Sequence, residues 1–217
     1  MYKYILFDLD GTLTDPKEGI TNCVQYALDK YGFYNQPMDL LLKFIGPPLT
    51  ESFMVYYGMD LEQAKDAVEK YRERFKDIGI YENKLYDGVD EMLCRLKECG
   101  KVLAVASSKP EVFVERILEY FNIRQYFDIV KGSFLDGTRV NKAEVIEAVF
   151  AELPENLDKT ELVMVGDRLH DVNGAKTVGV DCIGVSFGYG GRKELEEAGA
   201  DAVADTVEQL LNLILLQ

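Results

Sequence analysis

The sequence predicts an α/β fold, in which a parallel β-sheet covered by helices carries an inserted α-helical domain. After Gly88, short apolar segments rich in β-branched residues alternate with segments of helical periodicity. Such alternation is typical of parallel sheets that are buried on both faces. Residues 16–80 contain no comparable strand pattern, so we expect them to form a separate helical domain.

The first strand and the first helix follow closely on one another. Tyr4–Phe7 is apolar throughout and predicts a short buried strand. Asp15, Pro16 and Glu18 suit the N-cap, first and third positions of a helix. We therefore expect a helix that begins at Pro16, with Asp15 as its N-cap, and ends near Gly32.

A second strong helix and a stiff turn lie within the predicted helical domain. Asp60 and Gln63 have the spacing of a capping box, and apolar residues recur after them at helical intervals. The two prolines in residues 44–49 predict a turn between the two helices.

These elements predict two domains in one chain. The α/β core domain would comprise residues 1–15 and 81–217, and the α-helical cap domain residues 16–80. The two short connections between them, near residues 13–16 and 79–88, are what a hinged insertion would have.

The remaining elements of the core domain follow from the same alternation. Strands are expected at residues 101–106, 127–130, 162–165 and 182–185. Helices are expected from Pro110 onward and at residues 142–153, 170–178, 192–198 and 207–216. Joined as strand–helix–strand units, these elements predict a Rossmann-like parallel sheet.

The charge and hydropathy of the chain exclude several classes of function. Lys and Arg number 24 against 38 Asp and Glu, so the net charge is −14. Such an acidic chain is a poor binder of nucleic acid or of an anionic membrane surface. The longest apolar stretch, residues 210–216, is too short to cross a membrane, and no signal peptide is recognisable. We therefore expect a cytoplasmic protein, a monomer rather than an oligomer, whose partner is a small molecule.

The few histidine and cysteine residues restrict the chemistry further. His170 is the single histidine, so a histidine-based zinc cage or a Ser-His-Asp triad is not expected. The 4 cysteines contain no CxxC pair, which predicts reduced thiols.

Polar residues that suit phosphate and metal chemistry follow three of the predicted strands. In an open α/β sheet, functional sites lie beyond the carboxyl ends of the strands. The set comprises Asp8, Asp10 and Thr12 after the first strand, Ser107, Ser108 and Lys109 after the second, Asp167 and Asp171 after the fourth, and Lys142 at the start of a helix. We expect them to converge on one crevice that offers carboxylates, a hydroxyl and a cation.

The two carboxylates after the first strand need a turn in order to act together. Alternate residues of a strand point to opposite faces, so Asp8 and Asp10 would diverge if the strand continued. Gly11 favours a turn at this point. Two adjacent carboxylates at the end of an apolar strand repel each other and lose hydration, and a bound cation would relieve both costs.

Each candidate also has a plainer interpretation. The segment Asp8–Gly11 also suits a solvated loop or a calcium-like site. Ser107 could cap the helix that follows, Lys142 could be a solvated helical residue, and Asp171 could simply favour a helix N-terminus. Lys109 is expected to be structural or peripheral.

Four motifs resemble those of the haloacid dehalogenase superfamily of phosphohydrolases. They are FDLDGTL at residues 7–13, AVASSKP at residues 104–110, Lys142, and VGDRLHD at residues 165–171, in the order that the superfamily has them. Residues 46–53 are similar to a cap loop of the phosphoglycolate-phosphatase-like branch. The resemblance covers nearly the whole chain.

The resemblance implies Mg²⁺-dependent hydrolysis of a small phosphomonoester through an aspartyl-phosphate. Asp8 would be the nucleophile, and Asp10 the general acid and then the general base. Asp8, the backbone carbonyl of Asp10, and Asp167 would hold Mg²⁺, and Asp171 would orient a ligand from a second layer.

The same resemblance implies that Ser107, Ser108 and Lys142 bind the phosphoryl oxygens. Phosphoglycolate is the substrate that it suggests first, and a nucleoside 5′-monophosphate is the second. Two alternatives stay open. A phosphomutase of the β-phosphoglucomutase type would keep Asp8 and Asp10, whereas a non-catalytic metabolite sensor on the same fold would usually have lost one of the motif charges.

Overall fold

Strands and helices alternate along most of the chain. The structure of the protein is a computed structural model that describes residues 1–216. Its strands are β1 (Tyr4–Phe7), β2 (Thr14–Asp15), β3 (Lys84–Leu85), β4 (Val102–Pro110), β5 (Ile129–Ser133), β6 (Leu162–Gly166), β7 (Asp181–Val185) and β8 (Ala202–Ala204). Its α-helices are α1 (Lys17–Asp29), α2 (Met38–Leu41), α3 (Leu49–Tyr57), α4 (Leu61–Phe75), α5 (Val89–Glu98), α6 (Glu111–Tyr120), α7 (Lys142–Phe150), α8 (Leu169–Val178), α9 (Gly191–Ala198) and α10 (Val207–Leu216).

Six of the strands form one parallel sheet in the order β5-β4-β1-β6-β7-β8. The first strand, β1, lies between β4 and β6. Phe7 at its end is in register with Val105 on one side and with Val165 on the other. The three strands therefore present their carboxyl ends at the same edge, and the predicted α/β fold with a Rossmann-like parallel sheet is confirmed.

The hydrophobic core explains why β1 occupies the centre of the sheet. All four of its residues are buried, as a strand covered on both faces requires. On one face, Val145, Ile146 and Val149 of α7 belong to the same buried cluster as Leu6 and further residues of β4, β6 and α8. This packing holds in place the strands whose carboxyl ends precede the polar residues.

The chain folds into two compact units. The core unit comprises Met1–Asp15 and the chain from Leu85 onward, and the helical unit comprises Pro16–Lys84. Within the helical unit, the predicted capping box of α4 is confirmed, because the Gln63 N–H donates to Asp60 Oδ1 at 2.9 Å and the Asp60 N–H donates to Gln63 Oε1 at 3.1 Å. The role of the helical unit as a cap stays a prediction.

The start of α1 differs from the prediction. The helix begins at Lys17, and Pro16 occupies its N-cap position without a side-chain cap hydrogen bond. The expected capping residue, Asp15, instead accepts a hydrogen bond from the phenol of Tyr189. Asp15 therefore contacts Tyr189, which is remote in sequence, and does not cap the helix as local spacing predicts.

Other elements shift or lie outside the predicted set. The strand β4 continues to Pro110 through an irregularity after Ala106, and β5 begins at Ile129. The helix α5 has Gly88 with a φ of 84° and no capping side chain at its N-cap, so it lacks the usual start signal. The edge strand β8 has 3 residues, which is too short for a clear alternation.

No helix within residues 1–216 combines the length and the apolar character that a membrane span requires.

Candidate active site

Three neighbouring strands place polar residues at one edge of the sheet. Asp8 directly follows β1, Asp167 directly follows β6, and Ser107 lies in β4 two residues beyond the partner of Phe7. The Asp8 N–H donates to the carbonyl of Val165 at 2.9 Å, which continues the pairing of β1 with β6. Asp8, Ser107 and Asp167 are all buried. The predicted convergence of these strand ends is therefore present in the structure.

The carboxylates of Asp8, Asp167 and Asp171 form a tight cluster. One oxygen from each lies within 4.8 Å of an oxygen of the other two. Asp167 and Asp171 are 0% and 1% exposed, and Asp8 is 6% exposed. Three carboxylates at such distances repel each other strongly unless positive charge lies among them.

Lys142 supplies one positive charge to this cluster. Its Nζ lies 3.0 Å from Asp8 Oδ1 and 2.8 Å from Asp171 Oδ1, and it donates to the carbonyl of Ala106 at 2.9 Å. The side chain is 4% exposed, so the interpretation of Lys142 as a solvated helical residue is wrong. Burial lowers the pKa of Lys142, but the carboxylates of Asp171 and Asp8 outweigh this effect and raise it overall.

The turn after β1 brings Asp10 into the buried region as well. Gly11 has a φ of 84°, which lies in the left-handed region, and its N–H donates to the carbonyl of Thr14 at 2.8 Å. A Cβ on Gly11 would lie 2.2 Å from Asp167 Oδ2, so the backbone of the turn passes directly beside that carboxylate. Only glycine satisfies both the conformation and the close approach.

Lys109 pairs with Asp10. The Lys109 Nζ contacts Asp10 Oδ2, and the two side chains are 7% and 11% exposed. Of the two positions expected for Lys109, this contact excludes the peripheral one and agrees with the structural one. Lys109 lies two residues beyond Ser107 in β4, past the irregularity after Ala106, whereas the strand predicted at residues 101–106 ended before it.

Burial dominates the electrostatics of the remaining carboxyl groups. Burial raises the pKa of Asp167, and the charge of Asp171 raises it further. Burial also raises the pKa of Asp171, against the opposing effect of Lys142. The pKa of Asp10 is raised by burial as well, although Lys109 lowers it in part. The site therefore favours the arrival of further positive charge.

The donor set fits a divalent cation such as Mg²⁺. Asp167 Oδ1 is buried and has no hydrogen-bond partner among residues 1–216. A buried oxygen without a partner costs free energy, which a metal ligand bond would recover. Clustered carboxylate oxygens are the ligands that Mg²⁺ and Ca²⁺ take in proteins.

The loop between β7 and α9, which has no predicted role, contacts Asp167. The Tyr189 N–H donates to Asp167 Oδ2 at 2.7 Å. A Cβ on Gly188 would lie 2.3 Å from Asp167 Cβ and 2.4 Å from the carbonyl oxygen of Gly11. The glycines at 188, 190 and 191 directly after β7 were the available signal, because such a segment allows backbone to approach a site closely.

The hydroxyl residues of β4 lie beside the cluster, and their phosphate-binding role stays a prediction. Ser107 is buried, and its Oγ accepts a hydrogen bond from the Lys109 N–H at 3.4 Å. The N-cap of α6 is Pro110, so Ser107 does not cap that helix. Ser108 is half-buried in the same strand.

Arg168, which precedes α8, is directed to a partner within the core unit. Its Nε donates to Glu194 Oε1 at 2.9 Å, and that same oxygen accepts from the Leu169 N–H at 2.9 Å. Asp171 Oδ2 in turn accepts from the Arg168 N–H at 3.0 Å, which holds the start of α8 against the end of β6.

Comparison with known proteins agrees with this arrangement. The family described as haloacid dehalogenase-like hydrolase matches residues 5–185, which include all four motifs. The chain belongs to the haloacid dehalogenase-like hydrolases. The family that the four motifs predict is thereby confirmed.

Several relatives of this hydrolase are named as enzymes that act on phosphoryl groups. The chain is 48% identical to a 5′-nucleotidase of Pseudomonas aeruginosa over 89% of this chain and 87% of the relative. It is 38% identical to the tyrosine-protein kinase PtkA of Mycobacterium tuberculosis over 95% of this chain and 70% of the relative. It is 29% identical to a phosphoglycolate phosphatase of Vibrio vulnificus over 99% of this chain and 96% of the relative.

Solved structures match the hydrolase over its full length. A crystal structure described as a predicted phosphatase of Clostridium acetobutylicum is 45% identical, covers 100% of both chains and superposes with a TM-score of 0.96. Family, relatives and fold together identify the protein as a phosphatase of the haloacid dehalogenase-like family.

The contact between Gly11 and Asp167 leads to a first prediction. Replacing Gly11 by Ala places a Cβ 2.2 Å from Asp167 Oδ2, so we expect the carboxylate to be displaced. Phosphatase activity should fall by about 100-fold or more, because misplacement of a site group by about 1 Å costs that much. Phosphate release and thermal unfolding measured side by side test this expectation.

Gly100→Ala is the matched control for this prediction. Gly100 has a φ of 73°, and nothing lies within 4 Å of its hypothetical Cβ. Both variants have the same backbone strain of about 1 kcal/mol. If Gly100→Ala lost as much activity as Gly11→Ala, the loss would come from backbone strain and the contact with Asp167 would be irrelevant.

Proposed function

We propose that the protein is a Mg²⁺-dependent phosphatase that hydrolyses a small phosphomonoester through an aspartyl-phosphate on Asp8. One observation supports this proposal above all. At the end of the central strand, the Asp8 carboxylate pairs with Lys142, which also pairs with Asp171. An oxygen of Asp8 lies within 4.8 Å of an oxygen of Asp167 and of Asp171. The proposed nucleophile, Asp8, thus contacts the Lys142 ammonium and is part of the candidate metal cluster.

Asp8 is suited to direct attack on phosphorus. A carboxylate is ionised at neutral pH and needs no neighbouring base to activate it, which agrees with the single histidine of the chain. An Asp8 oxygen forms the new bond to phosphorus, and the bond from phosphorus to the ester oxygen breaks. The nearby Lys142 ammonium offsets the negative charges that this step brings together.

Asp10 would move the protons of both half-reactions. In the first half, its carboxylic acid gives a proton to the departing alcohol. In the second half, the resulting carboxylate takes a proton from the water whose oxygen attacks the phosphorus of the aspartyl-phosphate. The bond from phosphorus to the Asp8 oxygen then breaks, which regenerates the Asp8 carboxylate and releases inorganic phosphate. The contact with Lys109 holds the Asp10 side chain in place at the edge of the site.

Metal and phosphate ligands complete the proposed site. Asp8, the backbone carbonyl of Asp10, and Asp167 would hold Mg²⁺, whose positive charge would stabilise the transferring phosphoryl group. Asp171, held by Lys142 and the Arg168 N–H, would keep Lys142 aligned. It would also orient a metal ligand without binding the metal itself. The Ser107 hydroxyl and the backbone N–H of Ser108 would donate to phosphoryl oxygens, together with Lys142.

The substrate that we propose first is a nucleoside 5′-monophosphate. The 5′-nucleotidase of Pseudomonas aeruginosa is 48% identical to the chain, whereas the phosphoglycolate phosphatase of Vibrio vulnificus is 29% identical. This difference reverses the order in which the sequence motifs alone suggest the two substrates. Phosphoglycolate stays the second candidate.

The nucleophile is tested by Asp8→Asn. An amide neither attacks phosphorus nor carries the negative charge that pairs with Lys142, so we expect Mg²⁺-dependent release of phosphate from an aryl phosphate to fall ~10³-fold or more. Asp128→Asn is the matched control, since Asp128 also pairs with a lysine, Lys97 at 2.7 Å, but lies directly before β5. Equal activity of Asp8→Asn and the parent protein would refute the mechanism.

The substrate class is tested by comparing kcat/KM across nucleoside 5′-monophosphates, phosphoglycolate and sugar phosphates. We expect the highest value for a 5′-nucleotide, with inorganic phosphate released in equal amount to the alcohol. A sugar phosphate that isomerises without release of phosphate would instead support the phosphomutase alternative. The absence of turnover with every ester, in the presence of Mg²⁺, would favour the sensor alternative.

A further inference from the structure

One residue of the core unit holds two acidic residues that the chain places far apart. The Tyr189 N–H donates to Asp167 Oδ2 at 2.7 Å, and the Tyr189 phenol donates to Asp15 Oδ1. Tyr189 is half-buried, and it lies in the loop between β7 and α9. The backbone of this residue thus contacts the candidate metal site, while its side chain reaches a different segment.

That segment is where the chain leaves the core unit. Asp15 is the last residue of the core unit before the helical unit begins at Pro16, and the chain re-enters the core unit at Leu85. The next residue, Tyr86, donates its N–H to the carbonyl of Leu13 at 3.1 Å. The outgoing and returning segments are therefore joined to each other on the side of the core unit.

The same loop also contacts the returning segment. The rings of Phe187 and Tyr86 meet edge to face, with centroids 5.1 Å apart. Two neighbouring aromatic residues of one loop, Phe187 and Tyr189, thus hold Tyr86 and Asp15 respectively. Asp167 is the third group that this loop contacts, through the Tyr189 N–H and through the close approach of Gly188.

We propose that Tyr189 is a positioning residue that couples the Asp167 carboxylate to the segments where the chain leaves and re-enters the core unit. This inference rests on the metal-binding role proposed for Asp167. A cation held by Asp167 would restrict the carboxylate that accepts the Tyr189 N–H, and thereby restrict the residue whose phenol holds Asp15. A bound cation would therefore strengthen the contact between Tyr189 and Asp15. By linkage, loss of that contact must weaken cation binding by the same factor.

The test is Tyr189→Phe, which removes the phenol and keeps the ring and the N–H. Mg²⁺ affinity is measured by calorimetry, and hydrogen exchange is followed in peptides that cover residues 12–18 and 83–88. In the parent protein, Mg²⁺ should slow exchange in both segments. In Tyr189→Phe, exchange there should be faster without Mg²⁺, Mg²⁺ should slow it less, and Mg²⁺ affinity should fall by about 5-fold.

Tyr2→Phe is the matched control. The Tyr2 phenol also donates to a carboxylate, Asp181 Oδ2 at 2.8 Å, but Asp181 begins β7 at the opposite end of the strand from the loop. This variant loses the same type of bond, and it should leave Mg²⁺ affinity and the exchange of both segments unchanged. Asp15→Asn keeps an acceptor oxygen for the Tyr189 phenol and should retain most of the coupling.

The outcomes separate this inference from the proposed function. If the parent protein binds Mg²⁺ but Tyr189→Phe matches it in affinity and in exchange of both segments, the coupling is refuted and the metal site stands. Equal losses in Tyr2→Phe and Tyr189→Phe would also refute the coupling, because they would reflect general destabilisation. Absence of Mg²⁺ binding to the parent protein would overturn both proposals.

Discussion

The candidate site is built on a group of buried carboxylates that repel each other and share one lysine, Lys142. Asp8, Asp167 and Asp171 lie within 4.8 Å of one another, and Lys142 pairs with two of them. Burial raises the pKa of Asp167 and Asp171, so the folded protein holds these groups at a cost. The proposed function accounts for this cost, because in it Asp167 would bind a cation and Asp8 would attack phosphorus, and electrostatic groups act most strongly when they are fixed and dry.

The parallel sheet makes this concentration of charge possible. Asp8 and Asp167 are far apart in sequence, yet they follow neighbouring strands and meet at one edge. Lys142 reaches the same point from the first turn of α7, whose Asn141 side chain caps the helix by accepting from the Ala143 N–H at 2.9 Å. The rigid strands and the capped helix fix each charged group before a substrate binds.

Strand order and local spacing allowed much of the fold and site to be predicted, and tertiary contacts explain the rest. Apolar strands followed by acidic residues predicted the positions of Asp8 and Asp167, because all parallel strands end at one edge. The N-cap predicted at Asp15 was wrong because Tyr189, 174 residues away, binds that carboxylate instead. The place of Lys109 beside Asp10 depends on how far β4 continues, which sequence periodicity did not indicate.

The most direct test of the central claim is the thermal stability of Asp167→Asn with and without Mg²⁺. If the cluster exists to hold a cation, Mg²⁺ should raise the Tm of the parent protein, because a ligand that binds only the folded state stabilises it. The variant should melt higher than the parent without Mg²⁺, since one repelling charge is gone, and should respond little to Mg²⁺. A parent protein whose Tm ignores Mg²⁺, or a variant that responds equally, would contradict the account.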